Sequence, residues 1–233
     1  MEGISQEKMA DETTQLKVII TGATGMVGEG VLLACLRHPS LQQVLMVNRR
    51  HYNAEDPKLR ECIVPDFLAL DSLEAEVTGY DACFYCAGVS SRGMSESTYT
   101  HITYETTLHF ARKLASLNPR MTFVYVSGSL TDSSEKGKIM WARVKGKTEN
   151  ALMQCGFSHL YNFRPGFMKP MPGQQNMKSY YRVIGGLYPL LHLLLPNQVS
   201  TMQDVATAMI NSVLKGYPKC ILEIKDINAL AKA

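Results

Sequence analysis

The chain has 233 residues, 45% of them apolar and 19% charged, with a formal net charge of +3 at pH 7. That length suits one α/β domain of the larger kind with a full-sized core. The charge is too small, and the basic residues too dispersed, for a nucleic-acid partner.

Residues 1–15 are polar, carry Glu2, Glu7, Asp11 and Glu12, and hold no apolar stretch. They read as a flexible N-terminal tail rather than a secretory signal or transit peptide. A single domain is expected over 16–233. The apolar run Leu16–Thr21 predicts a buried strand, and Gly22-Ala23-Thr24-Gly25-Met26-Val27-Gly28 predicts a tight turn into a helix with Val27, Val31, Leu32 and Cys35 inward. Glycines at 22, 25 and 28 let the backbone turn sharply, approach a pyrophosphate and pack the helix on the sheet. The helix N-terminus then offers N–H groups and a positive dipole end to phosphates. Gly22, Thr24, Gly25, Met26, Val27 and Gly28 are therefore candidate dinucleotide contacts.

Further strands are predicted at Gln43–Asn48, Glu61–Val64, Asp81–Cys86, Met121–Ser127 and His159–Phe163, with an edge strand at Lys219–Ile224. Helical patterns fill 96–117, 139–154 and 202–215, with Pro39, Pro119 and Pro218 just beyond helix ends. The alternation predicts a doubly wound parallel α/β sheet of strand order 3-2-1-4-5-6 with helices on both faces. Residues 167–200 form a small C-terminal part expected to cover the substrate side. Within it, Tyr180–Pro196 is strongly apolar but interrupted by Gly185-Gly186 and Pro189, too short and broken to span a bilayer. A packed lid is favoured over a homodimer face or a membrane-surface contact, since the segment lacks clustered Lys and Arg. Its tyrosines and leucines point to an apolar small-molecule substrate.

Six cysteines stand at 35, 62, 83, 86, 155 and 220, mostly within apolar runs. Cys83 and Cys86 form a C-x-x-C, but on a strand residues three apart face opposite ways, so they cannot jointly hold a metal or bridge easily. They read as small hydrophobes, no metal is expected, and the compartment is a reducing cytoplasm.

The acid that binds an adenosine ribose belongs at the end of the second strand, about 20 residues past the glycines. That place holds Asn48-Arg49-Arg50, and no Asp or Glu occurs between Glu29 and Glu55. Two arginines offer forked, charge-assisted bonds to a 2′-phosphate, so NADP(H) is expected over NAD(H).

Thr21–Gly28, Asp66-Phe67, Cys86-Ala87-Gly88-Val89-Ser90, Val126-Ser127-Gly128-Ser129 and Arg164-Pro165-Gly166 together resemble the short-chain dehydrogenase/reductase superfamily, extended or atypical branch. The likeness covers roughly residues 16–225 and extends to nucleoside-sugar-epimerase-like proteins and oxidoreductase-like regulators. It implies Asp66 and Phe67 beside the adenine, Cys86, Ala87 and Gly88 along the cofactor, and Pro165 and Gly166 at the carboxamide. It further implies a serine after the fifth strand and a Tyr-x-x-x-Lys on the next helix. Lys145 takes the lysine position, as a ribose contact, while Lys147 faces solvent. The tyrosine position holds Trp141, whose indole N–H donates a hydrogen bond but cannot serve as an acid/base. No tyrosine in the chain has a lysine four residues on. Three readings remain open: an oxidoreductase acting on a small carbonyl or alcohol through Ser129, Ser127, Tyr99 or a water held by Lys145; a slower reaction that needs only hydride transfer and an oxyanion donor; and a non-catalytic nucleotide-responsive regulator or interaction protein.

Overall fold

A computed structural model describes residues 15–68, 70, 73–177, 186, 188–195 and 198–233. Residues 1–14 of the predicted tail (1–15) and much of the apolar segment (178–185, 187 and 196–197) lie outside the described residues. The elements in chain order are β1 (Leu16–Thr21), α1 (Met26–Arg37), β2 (Leu41–Asn48), β3 (Leu59–Ile63), α2 (Glu74–Val77) and β4 (Ala82–Tyr85). Next come α3 (Glu96–Thr100), a π-helical turn (His101–Glu105), α4 (Thr106–Leu117), β5 (Thr122–Val126), α5 (Met140–Leu152) and β6 (His159–Phe163). The chain closes with β7 (Phe167–Lys169), α6 (Tyr188–Leu194), β8 (Val199–Thr201), α7 (Met202–Leu214), β9 (Ile221–Leu222) and α8 (Ile224–Ala231).

The main sheet has order β3-β2-β1-β4-β5-β6-β9, and every neighbouring pair is parallel. The predicted six-strand order is observed, with β9 added at the edge. β7 and β8 pair separately, also in parallel. Strand alternation divides the core in two. Val18, Ile20, Phe84, Val124 and Phe163 pack under α1, α7 and α8, whereas Ile19, Leu45, Val47, Phe123 and Tyr125 pack under α4 and the end of α5. Cys83 belongs to the second layer and Cys86 packs against the first, so the two thiols do face apart. Burial pushes both thiols up, Cys86 to about 12, as expected for inert packing groups.

Two expectations are corrected. The edge strand is confined to Ile221–Leu222, because Glu223 and Asp226 form a reciprocal capping box that turns the chain into α8. The helix expected over 96–117 contains the π turn, where Thr106 N–H reaches the carbonyl of His101. The strand order reverses between β1 and β4, which opens a crevice at their carboxyl ends.

Candidate functional site

The glycine turn sits at that crevice. Gly22 has φ +70°, a conformation that glycine adopts without strain, and a Cβ there would lie 2.7 Å from Ala87 N. Gly25 caps α1, its N–H bonded to Gly22 O at 2.9 Å. A Cβ on Gly28 would come within 2.2 Å of Gly22 O, so Gly28 is needed to pack the helix on the turn. Thr21 Oγ1 accepts from Ala87 N at 3.1 Å and ties the ends of β1 and β4 together.

One pocket of about 260 Å³ gathers Gly22, Thr24 and Gly25 from the turn and Asn48, Arg49 and Arg50 from the end of β2. Phe67, Cys86, Ala87 and Gly88 close it. A second, of about 350 Å³, shares Arg49, Phe67, Ala87 and Gly88 and adds Asp66, Ile102 and Thr106. The two pockets share a wall and together gather most of the predicted nucleotide residues, with Met26, Val27 and Gly28 in the first turn of the helix behind them, whereas Lys145, Pro165 and Gly166 line neither. Phe67 is buried against Phe110, ring centroids 5.2 Å apart, while Asp66 Oδ1 accepts from Leu68 N and shapes the loop. Arg49 and Arg50 are exposed at the rim.

Asn48 tests whether the cleft fits a dinucleotide. Its Oδ1 accepts from Ala23 N at 3.2 Å, so the side chain holds the glycine turn, and only its N–H₂ remains to meet a ribose oxygen. That Nδ2 is buried with no partner among the described residues. A buried unpaired donor is unfavourable by about 1–3 kcal/mol, and a ligand oxygen in the pocket that Asn48 lines would satisfy it. Together with the glycine cradle and two rim arginines, the residues fit the group.

The predicted catalytic residues separate. Ser127, a candidate proton donor, is held inward from the cleft. It is buried, and its Oγ donates to Glu149 Oε1 at 2.5 Å and to Phe163 O at 3.1 Å. Tyr99 is likewise buried, and burial raises its phenol above the ordinary range. Ser129 lies past the strand end, half-buried, its N–H bonded to Pro165 O at 2.9 Å, and it borders a cleft with Gly166. Lys145 Nζ donates to Ser127 O at 2.5 Å and Val126 O at 3.4 Å, and lies 5.8 Å from the Tyr125 ring centroid. Burial pulls its ammonium down to about 8, against the opposing pull of Glu149. Trp141 stands one helical turn before it, half-buried. Lys147 is exposed, over the Tyr104 ring.

Two acids carry no sign of their burial in the linear pattern. Glu149, on α5, is fully buried and grips Arg164 through Nε at 3.0 Å and Nη2 at 2.5 Å. Arg164 also reaches Ser133 and Glu223, so one guanidinium pins the ends of β5, β6 and β9 around Pro165-Gly166. Glu29, on α1, is also fully buried; it accepts from Gln175 N, Asn176 N and the Tyr52 hydroxyl. Burial and that carboxylate push the Tyr52 phenol to about 12. Gln174 Nε2 donates to Met26 O at 2.6 Å, so the strand-end loop before residue 178 is moored on the start of α1.

No group of three or more His, Cys, Asp or Glu among the described residues is arranged to hold a metal, and no described helix is long and apolar enough to cross a membrane. The sequence pattern of the NAD dependent epimerase/dehydratase family matches residues 18–135. The chain is 28% identical over 203 residues to "Protein fmp52-1, mitochondrial" of Aspergillus terreus, covering 85% of this chain and 87% of that protein. It is 27% identical over 191 residues to "Protein HTATIP2" of Rattus norvegicus, covering 74% and 78%. Among solved structures, the Bordetella bronchiseptica enzyme WbmF in complex with NAD+ superposes with TM-score 0.62 at 16% identity, over 95% of this chain and 78% of that one. At that identity the likeness is one of fold.

Proposed function

The chain belongs to the NAD dependent epimerase/dehydratase family, and from that premise we propose that it is an NADP(H)-dependent oxidoreductase of the atypical short-chain type, acting on a small carbonyl or alcohol. The carrying observation is the continuous cleft of Gly22, Asn48, Arg49 and Gly88, with an unpaired Asn48 Nδ2, on the same sheet edge as Ser129 and Lys145. When bound, the reduced nicotinamide supplies a hydride. The glycine turn and Asn48 would hold the pyrophosphate and ribose, Arg49 and Arg50 the 2′-phosphate, Asp66 and Phe67 the adenine edge, and Pro165-Gly166 the carboxamide. Reduction of a carbonyl also needs a proton at its oxygen. In this reading Ser129 orients that oxygen and passes it a proton from water, while Lys145 holds the turn that carries Ser129. Incubation with NADPH and a panel of aldehydes, ketones and quinones should show substrate-dependent NADPH oxidation. Trp141 favours a second reading, a non-catalytic nucleotide-responsive regulator, and an inert protein across that panel would select it.

The 2′-phosphate assignment has its own test. Losing one charged hydrogen bond to phosphate costs about 1.5–3 kcal/mol, roughly ten- to a hundred-fold in affinity. Arg49→Ala with Arg50→Ala should weaken NADPH at least that much and leave NADH nearly unchanged, and added salt should weaken NADPH more than NADH. Calorimetry decides it: equal wild-type affinities, or equal losses, would make the arginines a solvated loop.

Most of the six cysteines lie within apolar runs as small hydrophobes, which supports a reducing compartment, the cytoplasm in our reading. Because the A. terreus relative is named mitochondrial, cell fractionation should be scored for both.

A further inference from the structure

A cavity of about 620 Å³, distinct from the nucleotide cleft, lies at the carboxyl ends of β5, β6 and β9. Its walls are Leu130, Phe167, Leu191, Leu195, Val199 and Ile224. Its polar groups include Ser129, Gln198 and Glu223. Resting on the oxidoreductase reading above, we propose that this cavity binds the aliphatic chain of the substrate, a medium- to long-chain carbonyl or alcohol whose oxygen meets Ser129.

Three observations support the assignment. The first is position: in open α/β sheets ligands bind beyond the carboxyl ends of the strands, and Ser129 and Gly166, which the oxidoreductase reading puts at the reaction end, both line this cavity.

The second is Leu130. It has φ +69°, a left-handed conformation unfavourable for a branched side chain, and its side chain is 75% exposed. Neither backbone preference nor burial explains a leucine there. The turn is held by other groups: Thr131 Oγ1 donates to Gly128 O and Ser129 N donates to Pro165 O. Holding an apolar side chain out at the mouth of a cavity makes sense if a ligand covers it. Across the cavity, α6 exposes Leu190, Leu193 and Leu194 and turns Leu191 toward the same space.

The third is charge. The carboxylate on the wall, Glu223, is paired with Arg164 at 3.1 Å, and no lysine or arginine is among the described lining residues. A nucleoside-diphosphate sugar would bring two phosphate charges to a wall of leucines. An alkyl chain brings none.

The test is calorimetric titration of the full chain with 1-hexanol, 1-octanol and 1-decanol, with and without saturating NADP+. Burying each methylene is worth about fourfold in affinity, so each two-carbon step should tighten binding about fifteenfold. Leu130→Asn keeps a residue that tolerates the left-handed conformation, so its thermal midpoint should not fall. It should flatten the chain-length dependence, as should Leu191→Asn, without changing NADP+ affinity. Affinities that do not depend on chain length, or a dependence unchanged in both variants, would overturn the proposal. So would UDP-glucose displacing decanol at a lower concentration than octanol does. If decanol binds with the expected chain-length dependence but is neither oxidised nor, as decanal, reduced, the cavity assignment stands and the enzyme reading falls.

Discussion

Replacing Glu149 with alanine is expected to lower the unfolding free energy by about 3–5 kcal/mol, because it leaves the Arg164 guanidinium buried without its main partner. Glu149 is fully buried, and two Arg164 nitrogens and the Ser127 hydroxyl converge on its carboxylate. The remaining partners of Arg164 are weaker compensation: the Ser133 hydroxyl is neutral, and the Glu223 side chain is about half exposed. The loss is therefore one of uncompensated charge more than of packing volume. A double change, Glu149→Met with Arg164→Met, removes both charges together and should recover much of the stability. Urea unfolding of the three proteins measures this directly. A single-variant loss under about 1 kcal/mol would show that Arg164 finds adequate solvation without Glu149. The site should feel the same change, since Glu149 holds up the charge on Lys145 one helical turn away.

The same pair shows what linear pattern can and cannot reveal. The bounds of β1 and β6 follow from their apolar runs, and the order of the first six strands follows from alternation with helices. β2 begins at Leu41 rather than Gln43 because Leu41 pairs with Leu16, a partner that local pattern does not expose. The π turn keeps the apolar spacing of an ordinary helix, so only its hydrogen bonds disclose it. Near the site, the glycines and arginines are legible because backbone freedom and positive charge are properties of the residue itself. Glu29 and Glu149 are different. In sequence Glu29 reads as a first-turn acid, yet its amide donors come from residues 146 and 147 positions away. Ser127 and Ser129 look equivalent in Ser-Gly-Ser. Strand parity would put them on one face, and the glycine between them decides: Ser127 follows β5 directly and turns inward to Glu149, whereas Ser129 lies beyond Gly128, which frees the backbone at φ +146°.

Trp141 is where the chemistry departs furthest from the superfamily pattern. Its indole N–H can donate a hydrogen bond but does not exchange a proton usefully, whereas a tyrosine phenol can. A positioned general acid contributes about 10²- to 10⁴-fold, so Trp141→Tyr is expected to raise NADPH-dependent carbonyl reduction by an amount in that range. The variant should also acquire a pH limb. Below about 8 the Lys145 ammonium is charged and stabilises the phenolate left after proton donation; above it that charge is lost and the rate should fall. Trp141→Phe removes the indole without supplying an acid, so it should show neither the gain nor the limb. Steady-state rates of the three proteins between pH 6 and 9 (a range about the Lys145 value) separate the outcomes. A gain with tyrosine alone identifies a cofactor pocket that lacks its acid. An active wild type that gains nothing from tyrosine but loses turnover with Ser129→Ala places the proton at Ser129. If tyrosine neither raises the rate nor brings in the limb, position 141 does not face the reacting oxygen, and the superfamily correspondence fails at that residue.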